Sequence, residues 1–222
     1  APKFPTAHYF TFLLRYYYDT NNEFALEMVT KTLNEISKGG IYDHIGFGFH
    51  RYSTDRKWLV PHFEKMLYDQ ALLSIAFSEA YQVTKKDEYK EIVYQIFEYV
   101  KRNLTSDEGA FYSAEDADSE GEEGKFYFWT IDKVREILKE DSDLIIEIFN
   151  LKPEGNFLNE IKRETNNQNI FHLKKSLEDI ANEKSIPMNQ LKEKVNSSLN
   201  KLYEIREKRI HPHKDDKILT DW

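Results

Sequence analysis

No cysteine occurs among the 222 residues of this chain. Disulfides, thiolate metal sites, iron–sulfur clusters and thiol nucleophiles are therefore excluded. An excess of positive charge is also missing, since 31 Lys and Arg stand against 39 Asp and Glu for a formal net charge of −8. Nucleic-acid binding needs clustered Lys and Arg that this balance does not readily supply. We therefore expect a small or neutral ligand and no nucleic acid.

Long apolar runs are absent as well. No stretch approaches the roughly 18 apolar residues that cross a bilayer, and the start of the chain lacks the apolar stretch and cleavage pattern of a signal peptide. We expect a soluble, cytoplasmic protein that does not bind membranes. The sequence begins without methionine and stops at Trp222, just after a helix is predicted to begin at Thr220. We therefore also expect a piece of a longer protein.

The helical segments show two alternating apolar patterns. Segments 6–20 and 61–83 are apolar on nearly every face, which predicts helices that are buried all round. Segments 22–38 and 87–104 carry one apolar stripe at the i, i+3, i+4 spacing, as helices with one solvated side do. Inner and outer helices joined as hairpins predict an all-α fold, an α/α toroid or solenoid.

Two insertions interrupt these helices. Residues 39–59 form a loop long enough to be functional by its length alone. The second insertion is predicted to be a β-hairpin, with strands at 110–114 and 125–129 around a carboxylate-rich tip. Further helices are predicted after Thr130, a plausible N-cap, and from Pro187 onward.

The run Pro61-His62-Phe63-Glu64-Lys65-Met66-Leu67-Tyr68-Asp69-Gln70 is the strongest chemical signal, and it is predicted to open the third helix. At about 100° per residue, His62, Lys65 and Asp69 would lie within about 60° of each other as one polar stripe. Glu64 would sit in the first turn, where the helix dipole favours a carboxylate. For each residue taken singly, a structural role in capping and bracing the helix and its loop is the alternative. The cluster as a whole favours a functional role.

The loop at 40–52 supplies imidazoles, a carboxylate, a guanidinium and aromatic rings. Imidazoles transfer protons near neutral pH, Arg and Asp orient hydroxyls, and aromatic faces stack on sugar rings or flat ligands. Its glycines lack the order of a phosphate-binding loop, which excludes a nucleotide site of that type. A purely structural turn is the alternative for this loop, including for His44.

Metal sites are not expected. The acidic tip imitates the start of a calcium loop, but the twelfth position from Asp116 is Tyr127, where a bidentate Glu belongs. His211 and His213 could bind a metal with nearby aspartates, yet two ligands make a poor site and an exposed turn is the alternative. We expect neither a metal nor another cofactor, and we keep Asp116 and Asp118 as possible ligand-binding carboxylates.

Several motifs are spread along the whole chain: PKFP at 2–5, GGIYDH at 39–44, GFHRYS at 48–53, WLVPHFEKMLYD at 58–69, SAEDADSEG at 113–121, FYFWT at 126–130 and DDKILTDW at 215–222. Together they resemble the YyaL-type family, which includes spermatogenesis-associated protein twenty. Two positions depart from the family pattern, since Phe47 replaces a usual glycine and Gln70 a usual asparagine. Both departures could alter the fit of a ligand.

The resemblance implies a six-hairpin (α/α) toroid similar to the N-acylglucosamine and cellobiose 2-epimerases and to six-hairpin glycosidases. Residues 1–222 would be the N-terminal part of that toroid domain, truncated at its C-terminus. A thioredoxin-like domain is expected upstream, outside this chain. Half a toroid would leave apolar inner-helix surface exposed, so we expect this chain to self-associate or to pack loosely.

The first functional hypothesis is a carbohydrate-active enzyme of the sugar 2-epimerase or isomerase type, acting at the toroid mouth. One histidine would remove the proton next to a sugar carbonyl, and a second would return it from the other face. Acidic groups and Arg51 would hold hydroxyls, and tryptophans would stack on the ring. The candidates are His44, His50, His62, Glu64 and Asp69 for catalysis, and Asp43, Arg51, Tyr52, Trp58, Lys65, Asp116, Asp118 and Trp129 for substrate binding.

Two alternatives stay open. A glycoside hydrolase would use two of the carboxylates Glu64, Asp69, Asp116 and Asp118, about 5 to 10 Å apart. A non-catalytic module would bind a partner or work with the thioredoxin-like domain, and any redox chemistry would lie outside this cysteine-free chain. A histidine pair at an open cavity favours the epimerase, a carboxylate pair the hydrolase, and a filled cavity the binding module.

Overall fold

Helices carry most of the fold in the computed structural model, which describes residues 2–158 and 166–220. The α-helices are α1 (Ala7–Thr20), α2 (Glu23–Lys38), α3 (Leu67–Thr84), α4 (Asp87–Asn103), α5 (Ile131–Leu138), α6 (Ser142–Ile148), α7 (Leu177–Lys184) and α8 (Met188–Arg206). The short strands are β1 (Tyr52–Ser53), β2 (Pro61–His62), β3 (Lys65–Met66), β4 (Ala114–Glu115), β5 (Asp118–Ser119), β6 (Glu122–Glu123) and β7 (Lys214–Asp215). The predicted class, helical hairpins with small β insertions, is confirmed.

Local sequence signals explain the helix boundaries. Asn21 ends α1 in the left-handed conformation, and the side chain of Asn22 caps α2 by accepting the N–H of Ala25 at 3.2 Å. The helix predicted after Thr130 is confirmed as α5, with Thr130 as its N-cap. The one predicted from Pro187 is α8, whereas the helix expected from Thr220 falls largely outside the described residues.

The helices bury two main apolar cores. The first lies between α1, α2, α3 and α4, with members such as Leu14, Val29, Leu33, Phe77 and Ile96. The second joins α5 to α8 and contains Trp129, Val134, Ile145, Leu191 and Leu202. No helix within the described residues is long and apolar enough to span a membrane.

Helix α1 is not buried on all sides, contrary to the prediction. Phe10 and Leu14 are buried, whereas Tyr9 and Phe12 are 59% and 65% exposed. The physical reason is that α2 and α3 pack against one side of α1 only. Ile75 of α3 is also exposed. These side chains form an apolar surface, and self-association through it stays a prediction.

The third helix begins at Leu67 and not at Pro61, and extended chain occupies the predicted first turns. Strand β2 pairs antiparallel with β1, which places His62 opposite Tyr52. Strand β3 pairs with β4, which places Lys65 opposite Glu115. Backbone pairing with distant segments therefore overrides the helical tendency of this run.

The predicted polar stripe on that helix is consequently wrong. Burial alternates from residue to residue, with Phe63 and Lys65 buried and with His62 and Glu64 half-buried. Successive side chains of an extended strand point to opposite sides. His62 and Lys65 therefore belong to opposite faces, and only Asp69 of the predicted stripe lies on α3.

The second insertion also differs from its prediction. Strand β4 pairs with β3 and β7, while β5 and β6 form a tight hairpin of their own. Glu120 and Gly121 join β5 to β6 with φ values of 54° and 77°, the positive angles that favour glycine in tight hairpin turns. Residues 125–129 form no strand, because the backbone turns there: the N–H groups of Tyr127 and Phe128 both donate to the carbonyl of Gly124, at 2.9 and 3.2 Å.

A buried ion cluster joins the first insertion to β3 and α8. The carboxylate of Asp43 accepts hydrogen bonds from Lys65 Nζ at 2.7 Å and from Arg206 Nη1 and Nη2 at 2.8 and 2.9 Å. Its Oδ1 also accepts the N–H groups of Ile45 and Gly46 at 3.1 and 3.0 Å. Burial alone would raise the pKa of Asp43, but Arg206 and Lys65 outweigh burial and hold it well below its usual range. The carboxylate is thus charged and fully engaged.

We expect Asp43→Asn to lower the free energy of unfolding by about 3–5 kcal/mol, because Lys65 and Arg206 would keep buried charges without compensation. Urea unfolding at neutral pH, followed by circular dichroism, measures the loss. Asp19→Asn removes an exposed carboxylate from α1 and serves as the control, with an expected change within about 0.5 kcal/mol. A similar small change for both variants would contradict the prediction.

Candidate functional site

A cluster of charged side chains lies along the paired strands β1 and β2. The N–H of Arg51 donates to the carbonyl of Glu64 at 2.8 Å, which extends the strand pairing by one step. The Arg51 guanidinium donates to Glu64 Oε2 at 2.9 Å, and His62 Nε2 lies 3.7 Å from the same oxygen. The Tyr52 ring stacks on His62 with centroids 4.9 Å apart. We call this group, with Asp69 and Glu123, the Arg51 site.

The hairpin β5–β6 reaches the Arg51 site through Glu123. Its Oε1 accepts hydrogen bonds from His62 Nδ1 at 2.7 Å and from the N–H of Phe63 at 3.3 Å. The hydrogen bond to Glu123 raises the pKa of His62, and the same bond lowers the pKa of Glu123. Both shifts favour the ion pair of a protonated imidazole with a carboxylate.

Asp69 approaches the same cluster from the first turn of α3. Burial raises its pKa to about 7, although Arg51 lowers it and Glu64 raises it further. Within the described part of the chain, its buried Oδ2 has no hydrogen-bond partner, and neither has the buried Nε of Arg51. The preceding residue, Tyr68, interacts with Arg51 as well. The site therefore holds a carboxyl that changes its charge near neutral pH beside a guanidinium with a spare donor.

The two other candidate histidines are held in the interior. His44 Nε2 lies 3.2 and 3.1 Å from the carbonyls of Lys38 and Gly39, and burial lowers its pKa to about 4. His50 Nδ1 lies 2.9 Å from the carbonyl of Phe63, and burial holds its pKa well below the usual value. As neutral rings that donate to main-chain carbonyls, both histidines fasten the loop to its neighbours.

The two tryptophans proposed to stack on a sugar are buried under cations of the chain itself. Lys3 Nζ lies 4.2 Å from the ring centre of Trp58. The guanidinium carbon of Arg209 lies 4.1 Å from the ring of Trp129. Neither ring is accessible to a ligand at the Arg51 site.

The remaining predicted binding residues also lie apart from that site. Asp43 and Lys65 are enclosed in the buried ion cluster. Asp116 and Asp118 are exposed, and Asp116 Oδ1 accepts the N–H of Ala117 at 2.6 Å. Within residues 2–158 and 166–220, no three His, Asp or Glu side chains lie close enough together to hold a metal ion.

The two departures from the family pattern act on the loop that carries Arg51. Gln70 is buried and exchanges two hydrogen bonds with the main chain of Phe49, at 2.8 and 2.7 Å. Phe47 has a φ of 67°, the left-handed region that glycine adopts without cost. The longer amide thus ties α3 to the loop, whereas Phe47 holds a conformation better suited to glycine.

Sequence reasoning missed Glu123, Tyr68 and Arg206. The pair Glu120-Gly121 is a usable signal for the first of these, because a tight turn there places Glu123 back alongside Asp118. Arg206 gave no signal, since a basic residue at the end of an amphipathic helix is ordinary. Only its burial against Asp43 reveals its role.

No family model matches the sequence. Spermatogenesis-associated protein 20 of Homo sapiens is 39% identical over 244 aligned residues, which take in 100% of this chain and 31% of that protein. The Rattus norvegicus protein of the same name is 37% identical over 100% of this chain and 31% of its own length. The chain therefore spans about a third of the length of these curated relatives.

Solved structures show a fainter likeness. Cellobiose 2-epimerase from Bacillus thermoamylovorans has a TM-score of 0.49 and 17% identity, over 98% of this chain and 66% of that one. A sugar epimerase from a ruminal bacterium has a TM-score of 0.48 and 14% identity, over 93% of this chain and 59% of that one. These likenesses concern the arrangement of helices and assign no chemistry. By sequence, the whole chain is similar to a part of spermatogenesis-associated protein 20.

Proposed function

We propose that the Arg51 site performs acid–base chemistry on a sugar, in a carbohydrate-active enzyme of the epimerase or isomerase type. The observation that carries the proposal is the carboxyl of Asp69, with an unpaired oxygen, beside Arg51 and Glu64. Removal of a proton next to a carbonyl requires a base with a pKa near the working pH. It also requires a cation that stabilises the negative charge that develops on the carbonyl oxygen.

The residues take separate parts in this reaction. Asp69 removes the proton from the carbon next to the open-chain carbonyl. The electron pair of that C–H bond forms the carbon–carbon double bond of an enolate, and the π pair of the carbonyl moves to its oxygen. The partly exposed guanidinium of Arg51 stabilises this oxygen, while Glu64 keeps the guanidinium in place through its 2.9 Å hydrogen bond. His62, protonated through Glu123, returns a proton to the opposite face of the carbon. Solvent then resets both groups.

His44 and His50 have no part in this proposal. Both are neutral and donate to main-chain carbonyls, so neither is free to carry a proton to a ligand. Asp69 replaces them as the proposed base. The histidine pair first considered thus becomes a pair of one histidine and one carboxyl.

Glycoside hydrolysis is the second candidate function. Glu64 and Asp69 are close enough for Glu64 to raise the pKa of Asp69, and a hydrolase uses one carboxylic acid with a raised pKa and one carboxylate. Asp69 would protonate the leaving oxygen, and Glu64 would act as base or nucleophile. Release of new reducing ends from oligosaccharides would favour this reaction over epimerisation.

The epimerase proposal predicts exchange of deuterium from heavy water into the position next to the carbonyl of an aldose, a ketose or an N-acyl sugar. Proton NMR on the longest natural protein that contains this chain measures the exchange. We expect Asp69→Asn to slow it about 100-fold or more, because the variant lacks the base. Asp107→Asn changes an exposed turn and should leave the rate unchanged.

Two results would overturn the epimerase proposal. One is the absence of exchange with every sugar of the panel. The other is an equal rate in the Asp69→Asn variant and the parent protein. If new reducing ends appear without exchange, the hydrolase is the better description of the site.

Asp69 itself should titrate near pH 7 in this chain. Carbon-detected NMR of its carboxyl carbon measures the midpoint. Arg51→Gln should raise the midpoint, because the guanidinium favours the charged form, and Glu64→Gln should lower it, because a neighbouring carboxylate disfavours that form. A midpoint near the ordinary value of about 4, or one unmoved by both variants, would contradict the arrangement.

A further inference from the structure

A concave surface lies between the hairpin β5–β6 and the residues that follow α8. Its volume is about 420 Å³, which is within the range of small-molecule sites, about 300–1,000 Å³. Phe126, Phe128 and Trp129 line one part of it, and Lys208 and Arg209 line another. We call it the Arg209 cavity, and it shares no residue with the Arg51 site.

Arg209 is fixed in place at this cavity. Its Nη1 donates to the carbonyls of Phe126 and Phe128 at 2.7 and 2.9 Å, and its guanidinium lies over Trp129. Burial and the neighbouring Arg206 lower its pKa to about 10, so it remains charged at neutral pH. In the part of the chain that the structure describes, no carboxylate pairs with Arg209.

The surroundings leave this positive charge uncompensated. Lys208 is exposed and likewise has no acidic partner among the described residues. The charge of Lys125 is paired with Glu120 at 3.0 Å, and that of Arg206 is paired with Asp43. A chain with a net charge of −8 therefore presents two unpaired cations at one cavity.

The accessible aromatic side of the cavity is the half-buried ring of Phe128, because Arg209 covers the ring of Trp129. Trp129 packs within the core, and its buried indole Nε1 has no acceptor in the described ranges. Aromatic walls suit the face of a ring, and an adjacent guanidinium and ammonium suit the oxygens of a phosphate. The two features lie together in one cavity of suitable size.

We propose that the Arg209 cavity binds a phosphate monoester of a ring compound, with the phosphate on Arg209 and Lys208 and the ring on Phe128. The ring can come from a sugar or from an aromatic compound, because the C–H face of a sugar and the face of an aromatic ring both pack on an aromatic side chain. The site does not depend on the reaction proposed for the Arg51 site. Binding here and catalysis there can succeed or fail separately.

Titration calorimetry with glucose 6-phosphate, phenyl phosphate and inorganic phosphate tests the proposal on this chain. We expect at least one of the two ring esters to bind about tenfold more tightly than inorganic phosphate, and the tighter ester identifies the kind of ring. Lys208→Gln should weaken that binding about tenfold, because a charge-assisted contact is lost. Lys31→Gln removes the same charge from the exposed side of α2 and should have no effect.

The indole N–H signal of Trp129 in ¹⁵N-labelled protein locates the ligand. Trp129→Phe identifies that signal, and the signal of Trp58 serves as the internal reference. The ester should shift the signal of Trp129 and leave that of Trp58 in place. Three results would overturn the proposal: no binding of either ester, inorganic phosphate that binds as tightly as both, or an equal loss in Lys31→Gln and Lys208→Gln.

Discussion

The carboxylate of Asp43 is the interaction on which the rest of the structure depends. It joins a loop after α2, the strand β3 and the end of α8, and Arg206 lies 163 residues from it in sequence. Two buried cations share this carboxylate, so its loss would leave both without compensation. A glycine at position 46 is part of the same arrangement, because a Cβ there would collide with the guanidinium of Arg206.

The Arg51 site is built on this buried support. The loop held by Asp43 leads directly to Arg51, and β3, held through Lys65, leads into the first turn of α3 that carries Asp69. His62 and Asp69 are half-buried side chains on this support. They can gain or lose a proton while the buried ion cluster keeps their backbone in place. The hairpin β5–β6 contributes to both proposed sites, since Glu123 binds His62 and Glu120 lines the Arg209 cavity.

Most helices could be predicted from the sequence, but the start of α3 could not. The asparagine before α2, the threonine before α5 and the proline before α8 are local signals, and each marks a real helix boundary. The run from Pro61 to Met66 contains no local signal that it is extended and not helical. Its strands exist only because residues 52–53 and 114–115 pair with it. Pairing between distant segments is invisible to a reading of local periodicity.

The sequence by itself determined the helical hairpins, the absence of cysteine chemistry and the resemblance to a known family, because periodicity, composition and motifs are properties of the chain alone. Only the tertiary structure decided which ionisable groups can do chemistry. Burial makes His44 neutral, Glu123 favours the protonated form of His62, and desolvation brings the pKa of Asp69 to about 7. The protonation of each group depends on neighbours and burial that arise only when distant segments meet.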